Sequence, residues 1–145
     1  MISTERQKSS KLAAVVFDLL NPVAFGLFVG ALIFDIVYAS NADILWMKAS
    51  AWMIAIGLIA AIAPRLINLV RVWRPLSGVG RPGDKAAFWL HLVGIVAAIV
   101  NAFVHSRDAY AVVPEGVWLS VATVALFVAG NVLATLQSFD HRERA

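Results

Sequence analysis

The sequence predicts an all-α integral membrane protein, an antiparallel four-helix bundle with both termini in the cytoplasm. Three observations predict it. The first is composition: of 145 residues, 61% are hydrophobic and 14% charged, with mean hydropathy +0.80, whereas a soluble domain carries about 25% charged residues. The second is that the apolar residues gather into stretches with room for four spans of about 20 residues, the length needed to cross about 30 Å of hydrocarbon. The third is charge placement. With four spans, Arg6, Lys8, Lys11, Arg65, Arg71, Arg74, Arg81, Lys85, Arg142 and Arg144 share one side, and only Lys48 and Arg107 fall on the other. The positive-inside rule makes the richer side cytoplasmic.

The first apolar segment, residues 12–39, is too long for one upright span. Asn21-Pro22 divides it, because Asn is a good helix cap and Pro suits the first helical position. A span over 22–39 follows, with residues 12–20 as an interfacial helix or a continuation after a kink. The domain reading is therefore an N-terminal segment over 1–20, a bundle over 21–139 and a tail over 140–145. Gly26 and Gly30 form a small-xxx-small face suited to close helix contact. A cleaved signal peptide ending near Ala39-Ser40-Asn41-Ala42 competes with this reading, but Asp18 and Asp35 interrupt the run and it is longer than a leader's core.

The second span covers residues 44–69, with Trp46 and Trp73 at its interfaces, Lys48 placed to snorkel and Pro64 near its far end. Residues 75–85, rich in Gly and Pro, read as a cytoplasmic turn. The third span covers 86–105. At 100° per residue, Ala87, His91, Gly94, Ala98, Asn101 and His105 fall on one narrow stripe, opposite Trp89, Ile95, Val96, Ile99, Val100 and Phe103. The fourth covers 117–136, where Gly116, Ser120, Thr123, Phe127, Gly130, Ala134 and Gln137 repeat the same alternation of four and three. Seams of small and polar residues pack against protein rather than lipid.

Composition also excludes chemistry. With no cysteine, there are no disulfides, thiolate metal sites, iron–sulfur clusters or cysteine nucleophiles. The net charge of +3 does not point to nucleic acid, because the basic residues sit where membrane flanks do. No hydrolase, zinc-protease, P-loop or dinucleotide motif is present, and no carboxylate pair is set for acid–base catalysis. No catalytic residue and no metal site is expected.

Ionisable side chains at membrane depth are functional candidates by default. Depth sorts them into two groups. His91, Arg65, Asn68, Asn131 and Asn21 lie towards the cytoplasmic side, and His105, Asp35, Arg107, Tyr38 and Tyr110 towards the other. For Asp35, Arg65 and Arg107 the plain reading is snorkelling or an ion pair that fixes register. His91 and His105 are fourteen residues apart, about 21 Å along a helix and about 40° around it. That spacing presents one imidazole near each membrane face, as in b-type cytochromes, where histidine is an axial haem ligand. A haem here needs a second ligand from a dimer, or from Met47 or Met53. Hydrogen bonding of both histidines to Asn, Asp or Thr across helices ranks ahead of haem.

The residues also carry a resemblance. Asn21-Pro22 and Asp35 in the first span, Lys85, His91, Asn101 and Arg107 around the third, Gly130 in the fourth and His141-Arg142 in the tail resemble the bacterial four-span membrane family catalogued as domain of unknown function twenty-two thirty-one. The resemblance covers roughly residues 21–141. It implies a bacterial inner-membrane protein, an accessory protein beside periplasmic dehydrogenases or respiratory components. Asn21 stands where the family has histidine, so a ligand role for a first-span histidine is lost, and the tail lacks the family's Gly-Gly.

Three functions follow. The leading one is a structural or accessory subunit acting through helix packing, with a homo-oligomer or a membrane or periplasmic redox protein as partner beside the lipid. The second is a redox subunit holding haem or quinone between helices. The third is proton or ion passage along His91, Asn101 and His105.

Overall fold

The structure is a computed structural model that describes residues 2–73, 82–107 and 111–143. Four helices follow in order: α1 (Ile2–Asn41), α2 (Ile44–Trp73), α3 (Pro82–His105) and α4 (Glu115–Glu143). Each holds a stretch long and apolar enough to cross a membrane, over Lys11–Asn41, Ile44–Trp73, Lys85–His105 and Glu115–Phe139. The Gly/Pro-rich turn expected over 75–85 falls mostly outside the described residues, as do Tyr110 and the side chain of His141.

α1 packs most extensively on α2, and α3 on α4. Contacts of α1 with α4 and of α2 with α3 close the ring. All four helices bury one stripe on a spacing that alternates three and four. In α1 it is Ala24, Phe28, Ala31, Asp35 and Tyr38; in α2, Met47, Ser50, Ile54, Gly57, Ala61 and Pro64; in α3, Ala87, His91, Gly94, Ala98, Asn101 and His105; in α4, Gly116, Ser120, Thr123, Phe127 and Gly130. A seven-residue repeat of this kind is the packing period of left-handed helix bundles. The α4 seam stops short of its expected end, since Ala134 is exposed.

Outside, large apolar side chains face away from the bundle: Trp52 is 70% exposed, Phe103 and Trp118 69% and Ile59 68%. Such a surface is a liability in water and ordinary in hydrocarbon. There, helices associate through van der Waals packing and interhelical hydrogen bonds rather than through expulsion of water. The interior is accordingly built of close approaches. Phe28 and Phe127 meet with ring centroids 5.1 Å apart, and a Cβ on Gly57 would lie 3.0 Å from the Phe28 ring.

Two expectations are corrected. The first is the break at Asn21-Pro22. α1 runs through Pro22 as one helix, and residues 11–20 continue it within the span-length stretch, the second of the two arrangements expected there. A proline inside a membrane helix is tolerated where its surroundings re-satisfy the freed backbone groups. The chain reverses later, at Ala42-Asp43. Ala42 takes the left-handed conformation (φ 55), which costs a residue with a Cβ about 1–2 kcal/mol. Asp43 then caps α2, its Oδ1 accepting the Leu45 N–H at 3.0 Å. The second concerns Gly26. It faces outward, with nothing within 4 Å of a Cβ built on it, while a Cβ on Gly30 would lie 3.3 Å from Met53 Sδ. The helix contact of α1 therefore runs along the Ala24–Tyr38 stripe, and the small-xxx-small pair straddles its edge. Gly26→Ala is expected to raise stability by about 0.5–1 kcal/mol, because it improves helix propensity and meets no clash. Thermal unfolding of the purified protein checks this, and a loss of stability would contradict the outward placement.

Candidate functional site

Most of the polar side chains inside the bundle gather into two clusters separated by an aromatic layer; Ser50 and Thr123 instead donate to the backbone carbonyls of Ala31 and Leu119. The first joins α1, α3 and α4 around Asp35. All of its members are buried: Asp35, Asn101, His105 and Ser120 are each at most 6% exposed. His105 Nδ1 donates to the Asn101 carbonyl at 3.0 Å, the i−4 partner that helix geometry supplies, and Nε2 lies 2.8 Å from Asp35 Oδ1. Asn101 Nδ2 donates to Ser120 Oγ at 2.7 Å, and Ser120 Oγ donates to Asp35 Oδ2 at 2.5 Å. The polarity of this ring is fixed. Asn101 occupies the Ser120 lone pair, so the Ser120 proton points to Asp35, and the Nδ1 proton of His105 points to a carbonyl. One proton is left for the contact between Asp35 Oδ1 and His105 Nε2. Asn101 Oδ1 is buried without a hydrogen-bond partner among the described residues.

The second cluster draws one residue from each helix. Arg65 of α2 donates from a terminal guanidinium nitrogen to Asn21 Oδ1 of α1. Asn21 Nδ2 lies 3.5 Å from Asn131 Oδ1 of α4, and the same oxygen lies 2.9 Å from His91 Nε2 of α3. His91 Nδ1 lies 2.7 Å from the Ala87 carbonyl. Arg65 also stacks over the Phe127 ring, 5.5 Å from its centroid. Its Nε and remaining terminal nitrogen are buried without a hydrogen-bond partner among the described residues. This cluster borders a cavity of about 590 Å³ lined by Asn21, Asn68, Arg71, His91 and Asn131, among others.

Phe127 sits between the clusters, fully buried. It packs on Phe28, stands edge-on to His91 with centroids 5.4 Å apart, and would be 2.8 Å from a Cβ on Gly94. Gly130 in turn faces the His91 ring, 2.7 Å from a Cβ built there. The stripe of α3 and that of α4 therefore face each other inside the bundle. His105 and Asn101 share one network. His91 belongs to the other.

The expected ion pairs resolve unevenly. Asp35 pairs with His105, and Arg65 bonds an amide instead of a carboxylate. Arg107 is exposed in the turn after α3, with no ion pair among the described residues. A side chain that reaches water needs no buried partner. Neither imidazole presents a free ring nitrogen, so axial ligation at His91 or His105 would first break one of the contacts above. The space beside Asn101, Ser120 and Phe28 leaves essentially no room for even a water-sized sphere, against the usual 300–1,000 Å³ of ligand pockets. Sequence alone gives Ser120 a packing role and Arg71 a place on the flank; the structure adds Ser120 to the Asp35 ring and Arg71 to the cavity lining. No family model, curated protein or solved structure matches the chain.

Proposed function

We propose that this chain is a multi-pass protein of the bacterial inner membrane, an antiparallel bundle with both termini cytoplasmic, that serves as a non-catalytic accessory subunit. One observation carries the reading: the small-residue seams of α3 and α4 are occupied by each other, Gly94 against Phe127 and Gly130 against His91. A bundle complete in its interior meets a partner across its apolar exterior, where Trp52, Trp89, Phe103 and Trp118 project. Contact there is van der Waals packing between protein and protein in place of lipid. The resemblance to the four-span family twenty-two thirty-one implies the same kind of role. Extraction of native membranes into polymer nanodiscs, followed by mass measurement, tests it. A particle holding a second membrane polypeptide in fixed ratio, released by Trp52→Ala or Phe103→Ala, is the expected result. A particle with one copy of this chain and no other protein would overturn the accessory role.

A further inference from the structure

The cluster around Arg65 has more donors than acceptors. Arg65 carries five N–H donors and no acceptor. It uses one on Asn21 and leaves Nε and a terminal nitrogen buried without partners among the described residues. The acceptors of the cluster are already taken. Asn21 Oδ1 receives Arg65, and Asn131 Oδ1 faces both Asn21 Nδ2 and His91 Nε2. The Asn131 amide nitrogen has no protein partner among the described residues, and Asn131 lines the cavity. Arg71, which stands over the Phe17 ring at 5.0 Å, lines it too. The acidic residue in the lining is Asp18, exposed at the rim, against the lining guanidinium of Arg71, with Arg65 behind Asn21. Among the described residues no carboxylate forms an ion pair with Arg65 or Arg71; the pair that occurs is His105 with Asp35. A buried guanidinium is ordinarily paired.

We propose that this cavity binds a phosphate-type oxyanion, held by Arg71, Asn68 and the Asn131 amide, with His91, whose ring nitrogens are both engaged, as a wall of the site and Arg65 behind Asn21 as a positioning residue that supplies charge. The volume of about 590 Å³ suits a head group or small anion. A guanidinium fork with amide donors is the chemistry that recognises phosphate oxygens. The exposed Arg71, Thr135 and Ser138 at its edge leave the cavity open sideways, so the phosphate of an anionic phospholipid or a free phosphate can reach the same donors. Basic pockets between membrane helices take lipid head groups in this way. The site does not depend on the accessory role proposed above.

The test uses the full chain in phosphatidylcholine nanodiscs, with melting temperature as the readout. Sodium phosphate is compared with sodium chloride at matched ionic strength, and phosphatidylglycerol is added to the lipid in a parallel series. At least one anion is expected to raise the melting temperature with saturation. Arg71→Gln is expected to weaken that binding about tenfold, the equivalent of one lost charge-assisted contact. Lys85→Gln, on a flank outside the lining, is expected to leave it unchanged. Stabilisation by phosphatidylglycerol alone assigns the site to a lipid head group, and stabilisation by phosphate to a soluble anion. Stabilisation by neither would overturn the proposal. Equal loss in Arg71→Gln and Lys85→Gln would do so as well, because it would mean diffuse attraction to a basic surface, and so would an Arg71→Gln variant that binds like wild type.

Discussion

Asp35→Ala is expected to lower stability by about 2–3 kcal/mol. Two magnitudes bear on this. Breaking a buried ion pair in a soluble protein costs about 3–5 kcal/mol, because a charge is left unpaired. A single interhelical hydrogen bond in a membrane protein averages about 0.6 kcal/mol and reaches about 1.7, since the unfolded chain in lipid also finds partners. Asp35 lies between these limits. It receives two bonds, from Ser120 at 2.5 Å and across the contact to His105 at 2.8 Å, and both partners are buried. Alanine leaves the Ser120 hydroxyl and His105 Nε2 without their acceptor. Asp35→Asn keeps an oxygen acceptor and the side-chain volume, so about 1 kcal/mol is expected. Reversible unfolding in mixed micelles measures both. In a double-mutant cycle, Asp35→Ala and His105→Ala should couple by more than about 1 kcal/mol. Strict additivity would mean that the 2.8 Å contact contributes nothing to holding α1 on α3.

The ring around Asp35 shows how far a sequence of this kind can be read. The stripe of α3 stands out because small and polar residues interrupt an apolar helix, and the seam of α4 for the same reason. The stripes of α1 and α2 have the same spacing and stay hidden, because Phe28, Ile54 and Met47 are as apolar as the residues that face outward. Hydrophobic periodicity loses its contrast when both faces of a helix are apolar. Gly26 and Gly30 drew attention as a motif, yet the period running through Ala24, Phe28, Ala31 and Asp35 decides which face is buried. Depth along the helices is set by length, so the grouping of Asp35 with His105, and of Arg65 with Asn21, His91 and Asn131, follows from counting residues. Rotation of one helix against another is not set by length, and the Ser120–Asp35 bond depends on it. The cavity depends on it still more. Phe17, Asn68, Arg71 and Thr135 come together only when the four helices have their final positions, and none of those residues marks the others in sequence.

Gly94→Leu is expected to cost about 3 kcal/mol, the upper part of the usual range for overpacking. A Cβ on Gly94 already falls 2.8 and 2.9 Å from two atoms of the Phe127 ring and 3.4 Å from Leu126 Cβ. Gly94→Ala gains about 1 kcal/mol in helix propensity, which offsets part of its clash and leaves a loss of about 1 kcal/mol. Leucine adds three more carbons in the same direction with no comparable further gain. Phe127 has nowhere to retreat, because Phe28, His91 and Arg65 occupy the other sides of its ring. Moving it would disturb both polar clusters at once. In a bilayer, as proposed above, Phe127→Ala on its own would remove packing rather than water-driven burial, since an unfolded membrane chain keeps its side chains in lipid. It is expected to cost about 2 kcal/mol, less than in a soluble core. Combined with Gly94→Leu it opens the space that leucine needs, so the double variant should recover at least about 1 kcal/mol relative to the sum of the two. Gly26→Leu, a change of the same size where nothing lies within 4 Å, serves as the reference for bulk on the outer face. If Gly94→Leu proves no more destabilising than Gly26→Leu, the seam of α3 is not packed on α4, and the stripe is left open to another chain.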